Sequence, residues 1–185
     1  MNSSPASLLL HPAQVWTAGE GAPLEGRAVL VEGARILDVG AREKFDANKG
    51  AERIELAGVT LFPGLIDAHS HLFLHPYNET SWDDQVLKES EAYRTLRASL
   101  HARATLESGF TALRDLGTEG AGTADVALKR AIEEGIIPGL RLFVATRAIV
   151  ATGSYGPAAR HYRPDCCLPQ GAEEASGIDE IVRAR

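Results

Sequence analysis

His69 and His71 stand two residues apart in the run Phe62-Pro63-Gly64-Leu65-Ile66-Asp67-Ala68-His69-Ser70-His71. Two imidazoles at that spacing can hold one metal ion. On an extended strand, side chains at i and i+2 point the same way. The rings then start about 7 Å apart along the backbone, and each reaches an ion at ~2.0–2.1 Å. Alone the pair is a weak signal: with six histidines in 185 residues, chance supplies one His-x-His in about one such chain in five. Its setting strengthens it. Leu65–His69 reads as a strand, and the residues beside the histidines, Ala68 and Ser70, are small. Imidazole suits zinc, and also manganese, iron or nickel.

Other residues near the pair could support it. Asp67 precedes His69 by two positions, which places it on the same face, one layer deeper, as a carboxylate hydrogen-bonded inside the fold or orienting a ligand. Asp115 ends the next strand and is read as a hydrogen-bonding carboxylate or a substrate contact. His75, in the loop with Pro76 and Tyr77, is either a substrate contact or a solvated loop histidine. Tyr155 and His161 belong to a later irregular loop of the kind that carries specificity. Cys166 and Cys167 are adjacent, which is neither a metal-type C-x-x-C pair nor a bridging geometry. They read as free thiols in a reducing compartment.

The elements that must position these groups fall into two regions. Residues 1–61 are strand-like. Ala28–Val31 and Arg35–Val39 flank Glu32-Gly33-Ala34 as a hairpin. Arg53–Leu56 alternates, Gly58 interrupts it, and Val59–Phe62 resumes. These read as short antiparallel strands of part of a small β-sandwich, too small to be stable alone. Residues 62–185 alternate strand and helix. After Leu65–His69, a helix is predicted from Asp83 to Ser108, with Tyr93, Leu96, Leu100 and Ala104 as its packing face and Gly109 at its end. Thr111–Arg114 is the next strand. Thr123 caps a helix to about Glu134, closed by Gly135. Leu140–Val150 is a long third strand, Ala151–Gly177 is irregular, and a helix with Ile178, Ile181 and Val182 on one face begins near Ile178. Such alternation gives βαβ units and a parallel sheet with both faces covered. The fold class is α/β, and His69 and His71 stand at the C-terminal end of the first parallel strand, where α/β barrels build active sites.

The run Pro63-Gly64-Leu65-Ile66-Asp67-Ala68-His69-Ser70-His71 resembles the signature of the metal-dependent amidohydrolase superfamily, and the preceding strands resemble that family's small β-sandwich. Leu113-Arg114-Asp115-Leu116-Gly117 is similar to the imidazolonepropionase-like branch, which includes Xaa-Pro dipeptidases. The resemblance implies that residues 62–185 are the first three βα units of an eight-stranded TIM-type barrel, and that the protein is a divalent-metal hydrolase of C–N bonds, most often with zinc, one or two ions, acting on a small-molecule amide, cyclic amide or dipeptide. It makes His69 and His71 two ligands of the more buried metal. It places a lysine or acidic bridge on the fourth strand, histidines on the fifth and sixth, and an aspartate general base on the eighth. None of these is matched here. The lysines Lys44, Lys49, Lys88 and Lys129 all precede the third strand, and His11 and His101 fall in the sandwich and the first barrel helix.

Length sharpens that mismatch. A full barrel needs about 250 residues, so 185 residues are expected to form an incomplete one, with the remaining ligands and the base beyond Arg185. Two alternatives stay open: an inactive truncated fragment, and a non-catalytic scaffold of the same fold. The formal net charge of -6, with scattered basic residues, argues against nucleic acid as a partner. No apolar run approaches the roughly 18 residues of a membrane span, and Met1–Leu10 lacks the charged start of a secretory signal. A cytoplasmic protein is the default expectation, and a homo-oligomer is compatible with it.

Overall fold

A computed structural model describes residues 7–19, 21–155, 163, 165 and 169–184. His161, Cys166 and Cys167 lie outside the described residues. The chain divides into two compact units, Met1–Pro63 and Gly64–Arg185.

The first unit is one five-stranded sheet. Its central strand is β1 (Ser7–Val15), which pairs antiparallel with β2 (Leu24–Glu25) and β3 (Arg27–Glu32). The expected hairpin is present: β3 turns through Gly33-Ala34 into β4 (Arg35–Ala41). The expectation of purely antiparallel strands fails at β5 (Glu52–Leu61), which runs parallel to β1. The reason is the connection. From β4 the chain passes through a 3₁₀ turn, Arg42–Phe45, and returns beside β1 in the same direction, as a crossover must. Phe45 of that turn is buried with Leu9 and Ala28. Gly58 does not end a strand. It sits at φ +76° where the β1–β5 register slips, so β5 is one bulged strand.

The second unit is built on a parallel sheet in the order β6-β7-β8: β6 (Leu65–Ser70), β7 (Phe110–Asp115) and β8 (Arg141–Val144). Between β6 and β7 the single predicted helix is two. α1 (Trp82–Lys88) and α2 (Glu91–Glu107) are each capped by a serine, Ser81 Oγ accepting from the Asp84 N–H and Ser90 Oγ from the Tyr93 N–H. α3 (Ala124–Glu133) starts after Thr123 as expected, but the Thr123 hydroxyl makes no cap hydrogen bond. Gly109 and Gly135 follow α2 and α3 in left-handed conformation.

The third predicted strand also divides. Thr146 turns left-handed at φ +58°, and its N–H is held by the buried Asp125 carboxylate at 2.7 Å. Beyond it, β9 (Ala148–Val150) pairs in parallel with β10 (Ala172–Glu174) as a separate sheet. α4 (Ile178–Ala184) follows.

The core joins Leu72, Phe73, Ala98, Ala102, Leu113, Leu128, Leu140 and Leu142. This overturns the expected packing face of α2. Tyr93, Leu96 and Leu100 are 47%, 70% and 66% exposed, whereas Arg94, Ala98 and Ala102 are buried. The helix carries two apolar stripes at helical spacing. The alanine stripe wins because small side chains let the helix lie close to the sheet. One sheet face also stays open, with Ile66 and Phe143 exposed, rather than both being covered.

Gly64 precedes β6 where β6 lies tight against β7. A Cβ there would come within 2.1 Å of Thr111 Oγ1 and 2.6 Å of Thr111 Cβ. Gly64→Ala is expected to cost about 1–3 kcal/mol through forced strand separation. Urea denaturation checks it. Thr111→Ala in that background should recover only part, because the Cβ contact remains.

Candidate metal centre

The ladder between β6 and β7 slips by one residue between Asp67 and Ser70. That bulge takes in Ala68 and His69 and ends just before His71, where it re-aims side chains at the strand end. Asp67 is tied to it: its Oδ1 accepts the His69 N–H at 3.0 Å. The carboxylate thus bends back onto its own strand rather than supporting a ring from one layer deeper. The His69 and His71 rings lie with centroids 5.7 Å apart at 69°. His71 Nδ1 is 2.9 Å from the Gly117 carbonyl and 3.7 Å from Glu119 Oε1. Both neighbours are acceptors, so Nδ1 is the nitrogen that donates, and in the neutral ring this leaves the lone pair on Nε2. That is the tautomer a metal ligand needs. The donor set therefore fits a metal at this strand end. Among the described residues, no group of three or more His, Cys, Asp or Glu side chains is placed to hold one.

The loop that orients His71 follows β7. Asp115 is fully buried and accepts two backbone N–H groups, from Leu72 at 3.2 Å and Gly117 at 3.0 Å. It links the residue after His71 to the residue whose carbonyl holds His71. Burial pushes its carboxyl up from 3.8 to about 6, against the lowering effect of those two hydrogen bonds.

Arg94 completes the arrangement. Its guanidinium is buried and donates to three carbonyls: Phe73 at 3.1 Å, Glu119 at 2.7 Å and Thr118 at 2.8 Å. It therefore clamps the loop after β6 to the loop after β7. Desolvation lowers its pKa, and Glu89, Glu119 and Glu91 oppose that effect.

Glu119 is held from several sides. Its backbone is left-handed at φ +52°, and its Oε2 accepts from Trp82 Nε1 at 3.2 Å and from the Tyr155 hydroxyl at 2.5 Å. Burial and the Glu119 carboxylate push the Tyr155 phenol up. Tyr155 thus belongs to this cluster.

His75 does not sit in solvent. It is buried, with Nε2 3.0 Å from Glu89 Oε1 and Nδ1 3.4 Å from Glu79 Oε2. Gln85, also fully buried, accepts the His75 N–H and donates to the His75 and Thr80 carbonyls. The loop folds back on itself around this pair, which is why the ring is not free to meet a substrate.

Sequence reasoning missed Arg94, Glu119 and Trp82. A signal was present for the first two. Arg94 lies at i, i+4, i+8 spacing with Ala98 and Ala102, an odd charge on a small-residue stripe. Glu119 lies between Gly117 and Gly120 in a loop at a strand's C-terminal end, where such folds place function.

The amidohydrolase family profile matches residues 60–181. The imidazolonepropionase of Acidiphilium cryptum (strain JF-5) is 27% identical over 173 residues, covering 86% of this chain and 42% of the relative. That of Anaeromyxobacter dehalogenans (strain 2CP-C) is 38% identical over 79 residues, 39% of this chain and 19% of its own length. A crystal structure of an amidohydrolase aligns with TM-score 0.74 at 31% identity, over 97% of this chain and 43% of that one. A prolidase complexed with N-methylphosphonate-L-proline aligns with TM-score 0.75 at 26% identity, over 97% and 43%. The chain spans less than half the length of these relatives.

Two stability predictions follow from the loop contacts. Because the Asp115 carboxyl titrates higher folded than unfolded, its contribution is full below about pH 3.8 and is lost as pH rises through about 6. Folding free energy should therefore fall by about 3 kcal/mol over that window, and the Asp115→Asn variant should lack this slope in urea titrations at pH 4 to 7. Arg94→Met leaves three carbonyls without their donor and should cost about 3 kcal/mol or more. Arg94→Lys should recover little, because an ammonium cannot span the three acceptors that the planar fork reaches.

Proposed function

The chain belongs to the amidohydrolase family, and on that premise we propose that it carries two ligands, His69 and His71, of the metal centre of a hydrolase acting on a carbon–nitrogen bond. The observation that carries this reading is the paired rings with His71 Nδ1 held by the Gly117 carbonyl. The metal is read as a divalent ion, zinc first among the candidates. The three parallel strands are read as the opening strands of a (β/α)₈ barrel, and the Met1–Pro63 sheet as part of a sandwich. The substrate class is a small amide, cyclic amide or dipeptide. The names of the imidazolonepropionase and prolidase relatives support that class.

When bound, the metal supplies Lewis acidity toward the scissile carbonyl and a water acidified toward pKa ~7. The residues of this chain do the rest of the work on their side of the site. His69 and His71 hold two positions. Gly117 fixes the His71 tautomer. Asp115 and Arg94 keep the two loops in register so that the rings stay together. A catalytic zinc normally has three protein ligands and an open position. Under this reading, turnover requires at least one further ligand and a general base, and the 185 residues alone are inactive. The greater length of the relatives supports this.

His69→Ala and His71→Ala, each introduced into the full-length hydrolase, should lower kcat/KM by several orders of magnitude and reduce bound metal, with the fold kept by circular dichroism. Retained turnover would mean that the metal site lies elsewhere.

A further inference from the structure

Glu119 has a conformation that sequence preference does not explain. A non-glycine residue at φ +52° is strained and persists only where its surroundings enforce it. Glycines stand at 117, 120 and 122 in the same loop, each with positive φ, yet position 119 is a glutamate. The surroundings that hold it are specific. Arg94 takes its carbonyl oxygen and that of Thr118. Trp82 and Tyr155 both donate to Oε2. Gly171 closes over the group so tightly that a Cβ there would lie 3.2 Å from Glu119 Oε2 and 2.8 Å from the Tyr155 ring. The side chain is only 9% exposed, and the oxygen left over, Oε1, faces His71 Nδ1 at 3.7 Å.

We infer that Glu119 is a positioning residue for His71: its carboxylate, locked by Trp82, Tyr155 and Arg94, faces the Nδ1–H side of the ring and strengthens Nε2 as a metal donor. The inference rests on the metal-ligand reading of His71. The chemistry is electrostatic. A negative charge behind the ring favours the additional positive charge that a metal ion brings to its front, and the burial of Glu119 limits the screening on its side. The Gly117 carbonyl takes the hydrogen bond, and Glu119 supplies the charge. Outer partners of this kind change metal affinity by roughly 10–100-fold when removed.

The test is zinc affinity, measured on the full-length hydrolase by competition with a chromophoric chelator and paired with thermal unfolding of the metal-free protein. Glu119→Gln keeps an oxygen for Trp82 and Tyr155 but removes the charge. The expected result is a zinc Kd about 10-fold weaker with metal-free unfolding unchanged. An unchanged Kd overturns the inference, and so does a loss of affinity that merely tracks a loss of stability. Should Glu119→Gln fail to fold, Trp82→Phe with Tyr155→Phe leaves the charge, the backbone and His71 in place but frees the carboxylate. Zinc binding should then weaken several-fold, and an unchanged Kd again overturns the inference. His69→Ala separates the two levels. If it leaves zinc binding unaltered, the metal reading itself fails. If it abolishes binding while Glu119→Gln changes nothing, only the role of Glu119 fails.

Discussion

Of the three residues that α2 buries completely, one is charged, and the site depends on it. A guanidinium in a protein interior is costly unless its donors are used. Arg94 uses Nε and both terminal nitrogens on backbone carbonyls, Phe73 from the loop after β6 and Thr118 and Glu119 from the loop after β7. A carboxylate would have offered one planar partner. Three carbonyls offer a template, since the fork can satisfy them only when both loops lie in one arrangement. The alanines at 98 and 102 complete that logic, because they bring α2 close enough for the side chain at 94 to reach the strand ends.

From this clamp the geometry propagates by short steps. Asp115 ties Leu72 to Gly117, and Gly117 holds His71. Two ways of placing a group are at work. His69 and His71 are placed locally, by one strand and a one-residue bulge. Glu119 is placed by tertiary contacts from α1, α2 and the segment carrying Tyr155. A single sequence can advertise the first kind through spacing. The second kind leaves no periodic trace.

That difference explains what was legible. The strand that carries His69 and ends just before His71, the Gly33-Ala34 hairpin, the helix ends at Gly109 and Gly135 and the order of parallel strands were readable because each follows from local spacing or backbone chemistry. The α2 face was misread because Tyr93, Leu96 and Leu100 form an apolar stripe as regular as the buried one. Periodicity cannot say which stripe meets the sheet when the buried one is made of alanine and an arginine. The break between α1 and α2 was missed because Glu89 is drawn out of the helix, extended at ψ 130°, with its carboxylate on His75. The parallel β1–β5 pair and the kink at Thr146 were missed for the same reason. Each is set by a partner distant in the sequence.

The local rules are broken in one region above all. Glu119 and Thr146, two of the three described non-glycine residues with positive φ, follow β7 and β8, and Arg94, Asp115 and Asp125 bury charge-bearing groups beside them. Each such feature costs free energy that an apolar or glycine substitute would not. The apolar core of this unit is leucine, alanine and Phe73 packing. Costs gathered at the C-terminal ends of adjacent parallel strands mark where structure is kept for something other than stability. The Nδ1 edge of His71 already meets the Gly117 carbonyl, with the Glu119 carboxylate beyond it, so the orientation of that ring belongs to folding.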